Sequence, residues 1–144
     1  MWYILHETTR IIMNTSKHGV TGMALSSEEV QAFMDYLVDA TPTKAKVHKK
    51  GEEATDNSTR DAQVYFIEYE ATELYDILQK VAKMVNLYFK YDLSGIEKAQ
   101  IVHYKAPSNG YNYHIDIGAD GTAASRKVSV SIILNDEYEG GEIC

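Results

Sequence analysis

The strongest constraint on this chain is a change of period. From about Gln100 onward side chains alternate two by two: Val128, Val130, Ile132 and Leu134 interleave with Ser129, Ser131 and Ile133, and His114 and Asp116 interleave with Ile115 and Ile117. Alternation is the signature of β-strands, whose successive side chains leave opposite faces. The last forty-one residues, Tyr104–Cys144, therefore predict a run of strands, with the upstream chain as their scaffold. On such a strand His114 and Asp116 share one face, so an imidazole and a carboxylate point into the same space. Those are two of the three donors of a 2-His-1-carboxylate site, which holds non-haem Fe(II) on one side and leaves the other side open.

Upstream the pattern is helical. Ser26-Ser27-Glu28-Glu29 has capping-box spacing, in which Ser26 and Glu29 satisfy each other's exposed amides. Val30, Phe33, Met34, Leu37 and Val38 then form an apolar stripe that ends before Thr41-Pro42. A second helix is predicted from about Thr72, with Leu74, Ile77, Leu78, Val81, Val85 and Tyr88 on one face. Between the helices, Thr43 to Thr59 is polar and reads as a long exposed loop, followed by a strand through Ala62, Val64 and Phe66. Met1 to about Ile12 reads as a first strand, and Asn14 to Gly22 as a polar connection. Tyr91 to Gly95 is a turn, and Lys98 to Tyr104 a strand with Gln100, Val102 and Tyr104 on one face. Ala106 to Gly110 and Gly118 to Ser125 are loops, Asn135 to Gly141 is a turn, and Glu142-Ile143-Cys144 begins one more strand.

The run Tyr104, Tyr111, His114-Ile115-Asp116, Arg126-Lys127-Val128-Ser129, Leu134-Asn135 and Gly140-Gly141-Glu142 resembles the 2-oxoglutarate/Fe(II)-dependent dioxygenases, in particular their prolyl 4-hydroxylase-like branch. The match runs from about Gln100 to Ile143, and the preceding helices fit in outline. The resemblance implies a mainly β fold with supporting helices: a double-stranded β-helix, or jelly-roll, in a single domain over residues 1–144. Helical support would lie at about 26–90 and barrel strands at about 98–144. It implies Fe(II) held by His114 and Asp116, with 2-oxoglutarate and O₂ as cosubstrates and ascorbate as an accessory reductant. Tyr104 and Ser129 would bind 2-oxoglutarate, and Tyr111 and Arg126 would contact substrate or support the ligands. The reaction implied is hydroxylation of a C–H bond, with succinate and CO₂ as coproducts. A peptidyl proline is the leading substrate, a peptide or protein the expected partner, and a small molecule the alternative. Ile133 stands where some relatives carry tyrosine, a departure from the animal oxygen-sensing type.

Relatives place a second histidine, followed by a basic residue that pairs 2-oxoglutarate, several tens of residues beyond His-x-Asp. Here no histidine follows His114, and His6, His18, His48 and His103 are misplaced for the role. The expectation is thus a jelly-roll incomplete at its C-terminus, the N-terminal part of a longer protein and inactive alone. Two readings from other classes stand beside it: a non-catalytic jelly-roll binding module, and a zinc hydrolase using the His-x-Asp pair.

Composition narrows the partners. A formal net charge of -7 disfavours a nucleic-acid face, which needs clustered Lys and Arg. The basic cluster Lys44 to Lys50 reads as solvated loop. A single cysteine, Cys144, cannot form an internal disulfide, so nothing points to an oxidising compartment. No apolar run approaches the roughly 20 residues of a membrane span. Met1 to Arg10 is not a secretory signal, and a cytoplasmic location is the default expectation. Oligomeric state is not legible.

Overall fold

The structure, a computed structural model, describes residues 14–16, 19–22, 25–49, 52–55, 60–119 and 121–141. The elements in order are β1 (Asn14–Ser16), β2 (Gly19–Thr21), α1 (Ser27–Asp39), β3 (Thr43–Lys44), β4 (Val47–Lys49), β5 (Glu52–Ala54), β6 (Gln63–Phe66), α2 (Thr72–Phe89), β7 (Gln100–His103) and the single turn α3 (Gly121–Ala124). Strands β3, β6 and β7 form one antiparallel sheet with β6 in the middle, and β1–β2 and β4–β5 are separate hairpins. The register sets Val64 opposite Val102 and Tyr65 opposite Ile101. The predicted strands at the N-terminus and from Glu142 lie outside the described residues.

Helix α1 begins where its capping box says it must. The Ser26 hydroxyl accepts from the Glu29 amide at 3.3 Å, and the Glu29 carboxylate accepts from the Ser26 amide at 2.8 Å. These contacts satisfy amides that a helix start otherwise leaves without partners. The buried stripe is rotated slightly from the predicted one: Phe33 is buried and Ala32, Tyr36 and Leu37 pack beside it, while Met34 and Val38 are exposed. Tyr36 belongs on this face because its hydroxyl has work there, donating to the Phe66 carbonyl and accepting from the Glu68 amide, both at 3.0 Å.

Helix α2 ends at Lys90, which turns left-handed at φ 56° and returns its amide to the Asn86 carbonyl. The Asn86 side chain then brackets Tyr91, donating to its carbonyl at 2.8 Å and accepting from its amide at 2.9 Å. Leu74, Tyr75 and Ile77 face Phe33, Ile67 and Ile101 in one apolar cluster. Ile67 is fully buried at its centre. Burying an aliphatic side chain of this size contributes about 1.5–3 kcal/mol. The Tyr75 hydroxyl stitches the cluster's rim, donating to the Ile67 carbonyl at 2.9 Å and accepting from the Ala99 amide at 3.1 Å.

The jelly-roll expectation is overturned. A jelly-roll needs about eight strands in two sheets, whereas the described residues carry a three-stranded antiparallel sheet and two short hairpins. The architecture is a small α+β fold with its core between α1, α2 and the sheet. Residues 126–134 show why alternation misled: Val128, Ile132 and Leu134 are half-buried, but Val130 of the same predicted face is exposed along with Ser129, Ser131 and Ile133, and there is no ladder on either side. Alternation chooses which side chains turn inward, but a strand also needs a neighbour to satisfy its amides and carbonyls. The polar connection at Asn14–Gly22 and the long loop at Thr43–Thr59 are corrected in the opposite direction, since they contain β1–β2 and β3, β4 and β5. Ala45, between β3 and β4, is buried, and its amide bonds the Ala62 carbonyl at 3.1 Å.

Candidate functional site

Strand β7 ends at His103, and the chain then leaves the sheet and returns to it at Tyr111, which bridges Arg60 just ahead of β6. This return is pinned by polar contacts. The Asp61 amide donates to the Gly110 carbonyl at 3.0 Å, the Ser108 hydroxyl donates to the Asp61 carbonyl at 2.8 Å, and the Gly110 amide bonds the Ser108 hydroxyl at 3.1 Å. Gly110 sits at φ 69°, a backbone angle glycine adopts without steric cost. The pinned point is where the candidate site begins.

From there His114 folds back over Tyr111, its imidazole stacked on the phenol ring at 3.7 Å between centroids and 20° between planes. The Tyr111 ring also carries the Arg60 guanidinium carbon, 4.7 Å from its centroid. His114 Nδ1 lies 2.8 Å from the Asn112 carbonyl oxygen. A carbonyl only accepts, so Nδ1 carries a proton and donates. In a neutral ring that leaves a lone pair on Nε2. Nε2 faces Asp116 Oδ1 at 3.2 Å, a second lone-pair atom. A proton on Nε2 makes this an ordinary exposed ion pair; a metal ion is the other cation that could sit between two such atoms. Adjacent donors on an ion with bonds of about 2.1 Å and right angles lie about 3 Å apart. The pair is spaced for that, and a backbone carbonyl fixing the far nitrogen is the usual support of a metal-bound histidine.

A second clamp lies behind Asp116. Arg126 holds the Glu97 carboxylate in a two-point contact at 2.8 and 2.7 Å and donates from Nη1 to the Asp116 carbonyl at 2.6 Å. The guanidinium holds the Glu97 carboxyl below its ordinary range, against a smaller opposing effect of burial. The Arg126 guanidinium is itself pushed up by the same partner. Next to Asp116, Gly118 lies against Ala123: its amide donates to the Ala123 carbonyl at 3.0 Å, and a Cβ on Gly118 would meet the Ala123 Cβ at 2.5 Å. Only glycine allows that approach.

The predicted site residues are brought together in part. His114 and Asp116 stand 3.2 Å apart, but on an irregular loop and not on the strand whose alternation was to bring them together. Their side chains are 40% and 51% exposed, an open surface and not a closed pocket. Ile115 and Ile117, expected on the opposite face of a strand, are exposed. Tyr111 sits against His114 as a supporting ring. Arg126 is engaged by Glu97 and the Asp116 backbone, which makes it a clamp on the loop. Tyr104 stands one residue beyond β7 with its ring exposed, and no hydrogen bond or ring contact joins it to the pair. Ser129 is exposed on the unpaired stretch 126–134. Among the described residues no third His, Cys, Asp or Glu joins His114 and Asp116. His103 is exposed at the end of β7.

Arg60 and Glu97 escaped the sequence reading. Each reaches the His114 loop from a point far along the chain, and no local spacing announces such a pairing. A shallow cleft lined by Glu28, Glu29, Ala32, Thr72, Glu73, Asp76 and Ile77 receives no residue of the His114 loop. Within it Glu29 is paired with Lys80.

No family model, curated protein or solved structure matches this chain. Among the described residues no helix is long and apolar enough to cross a membrane.

Proposed function

We propose that His114 and Asp116 are two of the protein ligands of a ferrous ion in a 2-oxoglutarate-dependent dioxygenase, with hydroxylation of a C–H bond as its reaction. The observation that carries the reading is the 3.2 Å approach of His114 Nε2 to Asp116 Oδ1, with Nδ1 committed to the Asn112 carbonyl. One imidazole nitrogen and one carboxylate oxygen fit the donor chemistry of non-haem iron. Among the described residues no third His, Cys, Asp or Glu stands beside the pair.

When bound, the iron and 2-oxoglutarate supply oxidative decarboxylation: 2-oxoglutarate, O₂ and R–H become succinate, CO₂ and R–OH. The chain's own residues hold and orient. Asn112 fixes the imidazole tautomer, Tyr111 supports its ring, and Arg126, backed by Glu97, holds the backbone at Asp116. A peptide bearing a proline is the first substrate to offer.

The test is an anaerobic addition of Fe(II) and then 2-oxoglutarate to the protein, read by the visible charge-transfer absorption of a chelated 2-oxo acid. The expected result is a band that requires both additions and disappears in His114→Ala and in Asp116→Ala. A protein that takes up Zn²⁺ in place of Fe(II) and shows no such band supports the zinc hydrolase. A protein that takes up neither supports a binding module.

A further inference from the structure

The Tyr111 ring is shared. His114 stacks on it at 3.7 Å, and the Arg60 guanidinium stands over it at 4.7 Å. Arg60 is the residue through which that loop meets the sheet: its backbone bridges Tyr111, and its neighbours Asp61 and Ala62 bond the Gly110 carbonyl and the Ala45 amide. Its Nε is buried without a hydrogen-bond partner, and among the described residues no acidic side chain pairs with its charge. A buried donor left without a partner is costly, so the position needs a compensating gain. The electron-rich face of Tyr111 supplies one, since a guanidinium is attracted to an aromatic face at this distance.

We propose that Arg60 is a positioning residue for the metal-binding imidazole, acting through Tyr111: it fixes the phenol ring against the sheet, and the ring fixes the plane of His114. No hydrogen bond or ion pair joins Arg60 to His114 or Asp116. Its effect is to lower the freedom His114 would lose on gripping an ion, so its removal weakens metal binding without removing a ligand. Residues that orient a metal-bound histidine typically change affinity ten- to a hundred-fold when lost.

The inference rests on the reading of His114 as a metal ligand, and the test separates the two. In metal-free protein with isotope-labelled histidine, the His114 ring protons are shifted upfield by the Tyr111 ring beneath them. Arg60→Gln is expected to remove at least half of that shift, Arg60→Lys to keep most of it, and Tyr111→Leu to abolish it. Fe(II) titrated without O₂ is expected to bind Arg60→Gln about ten-fold more weakly than the unaltered chain, with Arg60→Lys recovering most of the loss. The amide spectrum of residues 25–103 reports the fold in each variant; if Arg60→Gln unfolds, Arg60→Lys compared with Tyr111→Leu carries the test. An Arg60→Gln protein with intact shift and unchanged Fe(II) affinity overturns the positioning role and leaves the iron reading standing. A chain that binds no Fe(II), but whose His114 shift collapses in Arg60→Gln, overturns the iron reading and leaves the stack. Equal losses in the lysine and glutamine variants, with the fold intact, overturn the part given to the cation.

Discussion

Between residues 25 and 103 the chain is held by apolar contact: Phe33, Ile67, Leu74, Tyr75, Ile77 and Ile101 meet in one cluster, and every helix and sheet strand there has a partner. Between 104 and 141 no described side chain is buried: Leu134 packs half-buried against that cluster, and the chain is otherwise held by a pinned loop, a ring stack and an arginine clamp. The two regions teach different lessons about one sequence. Apolar burial acts on the whole fold at once, while polar contacts on an open surface each contribute little and mainly fix geometry. The candidate site sits in the second region and borrows its rigidity from the first, through Arg60 and Glu97.

Substitutions can break that contrast, beginning with the largest effect. Ile67→Ala empties the centre of the core and is expected to cost about 2–5 kcal/mol, whereas Ile115→Ala, at a side chain 80% exposed, is expected to stay within about 0.5 kcal/mol. Urea unfolding of both variants gives the comparison, and equal losses would erase it. Tyr75→Phe leaves the Ile67 carbonyl and the Ala99 amide without their shared hydroxyl. A loss of about 1–3 kcal/mol is expected, readable as a lower thermal midpoint. Ser26→Ala removes the cap of α1 and is expected to cost about 1 kcal/mol; Ser26→Asp, which restores a cap acceptor, recovers most of it.

The smallest effect is the most informative about the second region. Because Arg126 holds the folded-state pKa of Glu97 below its ordinary value near 4.5, the pair's contribution is fully present above that value. It is lost as pH falls through the lowered folded value. Both partners are well exposed, so solvent screening leaves about a few tenths of a kcal/mol. Glu97→Gln is expected to remove that pH-dependent increment while leaving the urea midpoint nearly unchanged at neutral pH. A large loss of global stability in this variant would show that the clamp supports the core as well as the loop.

The core was legible because its elements announce themselves locally. A capping box and a 3.6-residue stripe locate α1, a long stripe locates α2, and short apolar alternations locate β6 and β7. The hairpins β1–β2 and β4–β5 were not legible, since strands of three largely polar residues carry too little alternation to count. The predicted strands after Tyr104 fail for another reason. Period two tells which side chains turn together, and it survives in Val128, Ile132 and Leu134 but not in Val130, which is exposed; it does not supply the neighbouring strand. The strand expected to bring His114 beside Asp116 is absent, and their approach comes from an irregular loop. The supports contributed by Arg60 and Glu97 were not legible either, because such contacts join residues far apart in the chain.

The central claim is that one imidazole nitrogen and its neighbouring carboxylate bind ferrous iron, and paramagnetic broadening in histidine-labelled protein tests it most directly. Sub-stoichiometric Fe(II), added without O₂, is predicted to erase the ring signals of His114 while those of His103 persist, with the selectivity lost in Asp116→Ala. His114 signals that survive a full equivalent of Fe(II), or that fade in step with those of His103, would contradict it.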